Sequence, residues 1–271
     1  SYMQTSADQF AGMSSARLSV DMGDMGTIAF DQGSGSGLAT IDDKTPTAAE
    51  EIWDGLDGAG ASSTSVGGLV GSAGNSGVFN YINTFSGVKV NAAMRTGSGT
   101  KNSDGSSSGN NEGSAWDVAL TTDGAMLGVD GLAIGAGYGE VENAQTALAT
   151  GGGDGDQTGM TGFVNYSIGP VTLGYQMSSE DNMVTAKGAT AADQEATRWG
   201  IAFNINENLS ISYGEGTTEE TGNVDEEVEG ISVAYSMGGM TLKAHKNTGK
   251  NLGNAADQES EHTEIALSFA F

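Results

Sequence analysis

Apolar residues recur at every second position along most of this chain, in runs of seven residues or more. Trp199, Ile201, Phe203 and Ile205 alternate with Arg198, Gly200, Ala202 and Asn204. Ile231, Val233, Tyr235 and Met237 alternate with Ser232, Ala234 and Ser236. A period of two is that of a strand with one apolar and one polar face. It predicts strands near 77–85, 87–97, 114–122, 130–142, 159–168, 171–181, 195–205, 208–217, 227–237 and 240–248. A final strand ends at Phe271, with Thr263, Ile265, Leu267 and Phe269 on its apolar side, and two upstream strands at 14–21 and 27–32 bring the count to thirteen.

The joins between these strands alternate in length. Ser86, Gly169-Pro170, Asn206-Glu207 and Gly238-Gly239 mark tight turns, whereas 98–113, 143–158, 182–194, 218–226 and 249–259 are long and rich in Gly, Ser, Asp, Asn and Glu. Any one strand would also suit a soluble β-sandwich. A whole series with short turns on one side and long loops on the other fits an up-and-down membrane barrel. Between 33 and 76 lies one long excursion, in which a helix is predicted over 47–56, with Thr45 or Thr47 as N-cap and Glu50 and Glu51 in its first turn. Long segments of this kind are usually functional.

Composition changes the picture in the same direction. Only 37% of the 271 residues are hydrophobic, 44 are Gly, and the net charge is -25, values that would suggest disorder without the alternation. A barrel reconciles them, because its lumen is polar and lipid touches only every second residue. No run approaches the roughly 18 apolar residues of a spanning helix, and no signal peptide opens the chain. The chain has no Cys, and its two Pro suit long hydrogen-bonded strands. Trp116 and Trp199 begin strands on the long-loop side, and Tyr166, Tyr235 and Phe271 end such strands, the spacing of two interfacial girdles.

Arg17-Leu18-Ser19-Val20, Met25-Gly26-Thr27-Ile28, Gly135-Ala136-Gly137-Tyr138-Gly139-Glu140, Gly169-Pro170-Val171-Thr172-Leu173-Gly174 and the terminal Phe271 follow one another in an order that resembles the Gram-negative general diffusion porins, most closely the acidic alphaproteobacterial type. The resemblance covers essentially the whole chain. It implies a single barrel domain over 1–271, a family barrel of sixteen strands, and a third external loop, here about 33–76, that folds inward to narrow the pore. It also implies a homotrimer in the outer membrane, in contact with lipid and lipopolysaccharide, that passes small hydrophilic solutes. Counted on that template, the first three strands have no counterpart and 1–13 belong to the loop before the fourth. A rival count makes 2–12 an extra strand and closes the barrel at fourteen.

In a diffusion pore the chemistry is electrostatic. The inward loop offers the acids Asp42, Asp43, Glu50, Glu51, Asp54 and Asp57, and the lumen positions offer the bases Arg17, Lys89, Arg95, Arg198 and Lys243. With 35 acids to 10 bases the field should favour cations weakly. Asp154 and Asp156 are candidate Ca²⁺ ligands, read alternatively as solvated loop acids. Otherwise no cofactor is expected. His245 and His262 are the only histidines and fall on lumen faces of adjacent strands. No nucleophile elbow, HExxH or P-loop supports an enzyme, and the negative charge opposes nucleic-acid binding. The competing readings are a surface Gly/Asp-rich β-solenoid with an adhesive or structural role, and a substrate-specific outer-membrane channel.

Overall fold

The computed structural model describes residues 2–3, 13–32, 37–56, 76–96, 112–143, 156–182 and 192–270. Among the described residues fourteen strands follow in chain order: β1 (Tyr2–Met3), β2 (Met13–Asp21), β3 (Thr27–Gln32), β4 (Ser76–Phe85), β5 (Val88–Arg95), β6 (Glu112–Asp123), β7 (Leu132–Asn143), β8 (Gln157–Ile168), β9 (Val171–Asp181), β10 (Gln194–Asn204), β11 (Leu209–Glu220), β12 (Glu226–Met237), β13 (Met240–Lys250) and β14 (Glu259–Phe269). Each pairs with the next in one antiparallel up-and-down sheet of transmembrane-barrel type. Consecutive antiparallel pairing excludes the parallel coils of a solenoid.

All thirteen expected strands are present, and the alternation assigns their faces. Leu18, Val20, Phe79, Met94, Leu173, Met177, Ile231, Ile265 and Leu267 are exposed, while Asp31, Asn80, Asn91, Asp117, Gln176, Ser212, Ser232 and Asn247 are buried. A water-soluble protein has the opposite distribution. Aromatic pairs bridge neighbouring strands on the outer face: Phe30 with Phe79 (5.4 Å between ring centroids), Trp116 with Tyr138 (5.6 Å) and Trp199 with Tyr213 (5.7 Å). Trp116, Tyr166 and Trp199 are exposed on that face, and Tyr235 is half-buried. Phe271 lies outside the described residues.

The turns are built as their residues require. Ser86 and Gly87 both take positive φ (51° and 89°), the two-residue hairpin geometry that follows the strand twist. Between β6 and β7 the turn is longer, with a 3₁₀ turn at Gly124–Leu127 whose first turn is capped by the Asp123 side chain.

Two expectations are corrected. Met13 lies in β2 and Tyr2–Met3 pair with it, so the segment 1–13 is not wholly loop. The reason is the edge of β2, whose backbone groups need partners. Residues 4–12, the rest of the rival strand, lie outside the described residues. Nor does 47–56 form a helix: it consists of bends and one turn, and the 3₁₀ turn of this loop lies earlier, at Gly37–Ile41. The wall holds this stretch instead, Ala48 donating to Ser212 Oγ (2.8 Å) and Ala49 to Ser232 Oγ (3.2 Å). Those anchors on two adjacent strands, with Ile52, Trp53 and Leu56 packed on the wall, fix the path of the segment and override its local helix propensity.

Candidate functional site

Residues 37–56 cross the inner face of the sheet from β5 to β14, bonding to successive strands as they go. Gly37 N–H donates to Asn91 Oδ1 (2.9 Å) and Leu38 N–H to Asp117 Oδ1 (2.8 Å). Gln176 then clamps the next stretch: its Nε2 donates to the carbonyls of Ile41 and Asp42 (2.9 and 2.8 Å), and its Oε1 accepts from Lys44 N–H (2.7 Å). Asn165 Nδ2 donates to Lys44 O (2.6 Å). At the far end Asn247 Nδ2 donates to the carbonyls of Glu51 and Asp54, both at 2.9 Å. A backbone held by buried polar side chains along its length meets the demand that buried peptide groups be paired.

The seat for this loop is a row of residues in register across seven strands. Asn165, Gly174, Gly200, Gly214, Gly230, Asn247 and His262 are consecutive partners from β8 to β14. The four glycines remove the wall's side chains where the loop lies against it. A Cβ on Gly214 would stand 3.1 Å from Ile52 Cγ2, and one on Gly200 would stand 2.9 Å from Pro46 O. Apolar side chains of the loop then pack against the wall at both ends. Leu38 and Ile41 join Ala119 and Phe163, while Ile52, Trp53 and Leu56 join Val228 and Leu252. Leu252 comes from the connection after β13, which Asn254 ties down through bonds to the carbonyls of Thr218 and Val224.

The predicted charges separate into distinct groups. Asp42, Asp43, Glu50, Glu51 and Asp54 all lie on the loop, and Asp43, Glu50 and Asp54 are close enough to Glu51 to act on its carboxyl. Lys243 on β13 meets Glu50 at 3.0 Å, and both remain about two-fifths exposed. Lys44 pairs with Asp43 at 3.4 Å. Arg17 is bound at the other end of the wall, to Asp31 (3.0 Å) and Asn80 (2.8 Å). Lys89 is exposed near the β4–β5 turn, and Arg95 is half-buried on β5. Arg198 differs from the expected water-facing base: it is only 3% exposed, with its guanidinium 5.1 Å from the Trp53 ring centroid. Its height in the wall places it under the loop, a position that face parity alone does not reveal. Asp57 and Asp154 lie outside the described residues, and Asp156 is exposed before β8.

Burial pushes the Asp42 carboxyl up to about 7, assisted by the hydrogen bond and the charge of the adjacent Asp43. Burial also raises Glu51, and the charges of Asp43, Glu50 and Asp54 add to it. Because Asp42 holds a proton below about 7 and releases it above, the loop gains a negative charge as pH rises through neutrality. Cation preference should therefore increase between about pH 5.5 and 8.5, and Asp42→Asn should flatten that rise; reversal potentials at a fixed KCl gradient measure both. The same linkage makes the folded state bind more protons than the unfolded chain from the ordinary carboxylate range up to about 7, so stability falls with pH across that window.

The glycine row, Gln176, Asn247, Trp53 and Leu56 were not anticipated from the sequence. The signal was present in the register, since the tight turns fix which inward-facing residues are neighbours.

A family model described as Gram-negative porin matches residues 3–214. No curated protein sequence matches the chain. Among solved structures, an anion-selective porin from Comamonas acidovorans is similar at TM-score 0.64 and 12% identity, over 95% of this chain and 77% of that one. A porin refined at 1.8 Å is similar at TM-score 0.60 and 13% identity, over 92% and 79% of the two chains. Salmonella typhi OmpF in complex with daunomycin is similar at TM-score 0.59 and 12% identity, over 93% and 77%. At these identities the structures speak for the fold, and the family model carries the assignment. The chain belongs to the Gram-negative porins, integral channels of the outer membrane.

Proposed function

We propose that the protein is a diffusion porin for ions and small hydrophilic solutes, weakly cation-selective, with the loop 37–56 as its constriction and no catalytic turnover. The observation that carries this reading is the line of loop carboxylates on the inner wall, met by the wall ammonium of Lys243 at 3.0 Å from Glu50. Acids on one side and a base on the other set up a transverse field, which orients dipolar solutes and penalises apolar ones. The fold does not decide the sign of selectivity, since a structure with the same fold is an anion-selective porin. What supports cation preference is the local charge, since five described loop carboxylates, Asp42, Asp43, Glu50, Glu51 and Asp54, stand near Lys44 and Lys243.

The reading includes assembly as a homotrimer, which the resemblance to the general porins implies. Reconstitution in planar bilayers tests the whole reading. Three equal conductance steps per insertion, with a reversal potential of the sign for K⁺ over Cl⁻, are expected. Anion preference would refute the selectivity, and protein that inserts without conducting would refute the channel.

A further inference from the structure

We propose that His245, His262 and Glu264, joined by Asp54 of the loop, bind a divalent transition metal of the Zn²⁺ class and fasten the loop to the last two strands. The inference goes beyond the diffusion channel and does not depend on conduction. Register brings the groups together, because His245 on β13 lies opposite Glu264 on β14, and His262 lies opposite Asn247 one step along the same face. One ligand atom from each of His245, His262 and Glu264 lies within 4.8 Å of the others. The imidazole rings are 5.4 Å apart between centroids and tilted by 31°.

The two imidazoles lack what a structural histidine pair has. His245 is buried, with its side chain only 2% exposed, and neither His245 Nε2 nor His262 Nε2 has a hydrogen-bond partner. Buried polar nitrogens are normally paired. Carboxylates approach both without bonding: Asp54 Oδ2 is 3.8 Å from His245 Nε2, and Glu264 Oε2 is 3.7 Å from His262 Nε2. Those separations are too long for hydrogen bonds. The edge of a tetrahedral ligand cage is about 3.3 Å when metal–ligand bonds are about 2.0–2.1 Å, so the three grouped ligand atoms, within 4.8 Å of one another, would have to draw in on binding. That contraction gives two nitrogens and one oxygen, and Asp54, beside His245 but outside the group of three, would swing in as the fourth ligand. Imidazole with carboxylate suits Zn²⁺, Ni²⁺, Co²⁺ or Cu²⁺ and disfavours Ca²⁺ and Mg²⁺, which take oxygen.

Support around the site is already in place. Asn247 holds the Asp54 carbonyl at 2.9 Å, and Gly55, at φ 73°, lies directly over the His262 ring, where a Cβ would collide. Asp54 is thus presented to the histidines by a fixed backbone, so a bound ion would cross-link loop and wall.

These are the only two histidines in the chain, which also lacks Cys. Any imidazole-ligated metal signal from protein carrying no polyhistidine tag therefore reports this site. The experiment is titration of refolded protein in detergent micelles with Zn²⁺ in excess Mg²⁺, by calorimetry, and with Co²⁺, by its visible d–d bands. One Zn²⁺ per chain that Mg²⁺ does not displace is expected, with affinity in Glu264→Gln, which keeps both imidazoles, reduced by at least the roughly 10–100-fold that loss of an outer-shell partner costs. Zn²⁺ should also slow amide exchange at Asp54 and Gly55 in the wild type and not in Asp54→Asn. Zn²⁺ binding that survives in His245→Gln/His262→Gln, or that Mg²⁺ displaces, would overturn the site. Binding without any slowing of loop exchange would overturn the cross-link. Neither readout requires channel activity, so failure here is separable from failure of the porin reading.

Discussion

Leucine in place of Gly230 is expected to lift the loop from the wall and to convert a quiet open channel into a noisy one. A Cβ at Gly230 would lie 3.0 Å from Ile52 Cα, 3.1 Å from Ile52 Cβ and closer still to Asn247 Oδ1. The nearest loop atom is backbone, which cannot rotate away as a side chain could. Forcing atoms into a filled space costs about 1–3 kcal/mol. The loop can escape this cost only by moving off the wall, with loss of the contacts of Ile52, Trp53 and Leu56 with Val228 and Leu252. The amides of Ala48 and Ala49, which donate to Ser212 and Ser232, would then be released. Hydrogen exchange there should accelerate at least about tenfold, the equivalent of 1.4 kcal/mol. Single-channel records should show sublevels as the freed segment moves in the lumen. Asn247→Leu provides the complementary variant, because it removes both bonds to the loop carbonyls. Unchanged exchange and a steady current in Gly230→Leu would mean that the glycine row does not seat the loop.

How far the residues alone could predict this arrangement depends on the distance over which each signal acts. Strand alternation is local and physically strict, since a one-residue slip would put Ser232 in lipid and Ile231 in the lumen; the faces of β9 to β14 were therefore legible. The loop was harder, because its conformation depends on acceptors far away in sequence. Thr47 to Leu56 has the composition of a capped helix, yet Ser212 and Ser232 take its N–H groups from positions 164 and 183 residues along the chain. Arg198 shows a different limit. Its parity places it on the inner face, but only the course of the loop shows that Trp53 covers it. The row Gly174, Gly200, Gly214 and Gly230 occupied the middle ground: each is an unremarked glycine in its own strand, and only the pairing across strands turns them into a seat.

Charge reversal at Lys243 is expected to raise cation preference, and neutralisation of the loop acids to abolish it. Lys243 is a wall base in contact with a loop acid, 3.0 Å from Glu50, and both side chains reach water. Replacing it by Glu changes the local charge by two and leaves Glu50 facing a like charge. A unit charge about 7 Å from a passing ion contributes about 0.6 kcal/mol in water, which is roughly a 2.7-fold change in local ion concentration. Two charges would give about sevenfold before screening, and a Debye length of about 10 Å at 0.1 M salt leaves a several-fold rise in the K⁺ to Cl⁻ permeability ratio for Lys243→Glu. The triple variant Asp43→Asn/Glu50→Gln/Glu51→Gln should shift the ratio the other way by a similar factor, because it retains Lys44 and Lys243 without their nearest counter-charges. Both shifts should shrink in 1 M KCl, where the Debye length falls to about 3 Å. That salt dependence separates a field effect from a change in pore width, which would alter conductance at every salt concentration. Equal permeability ratios in the wild type and both variants at low salt would show that ions are selected elsewhere in the pore.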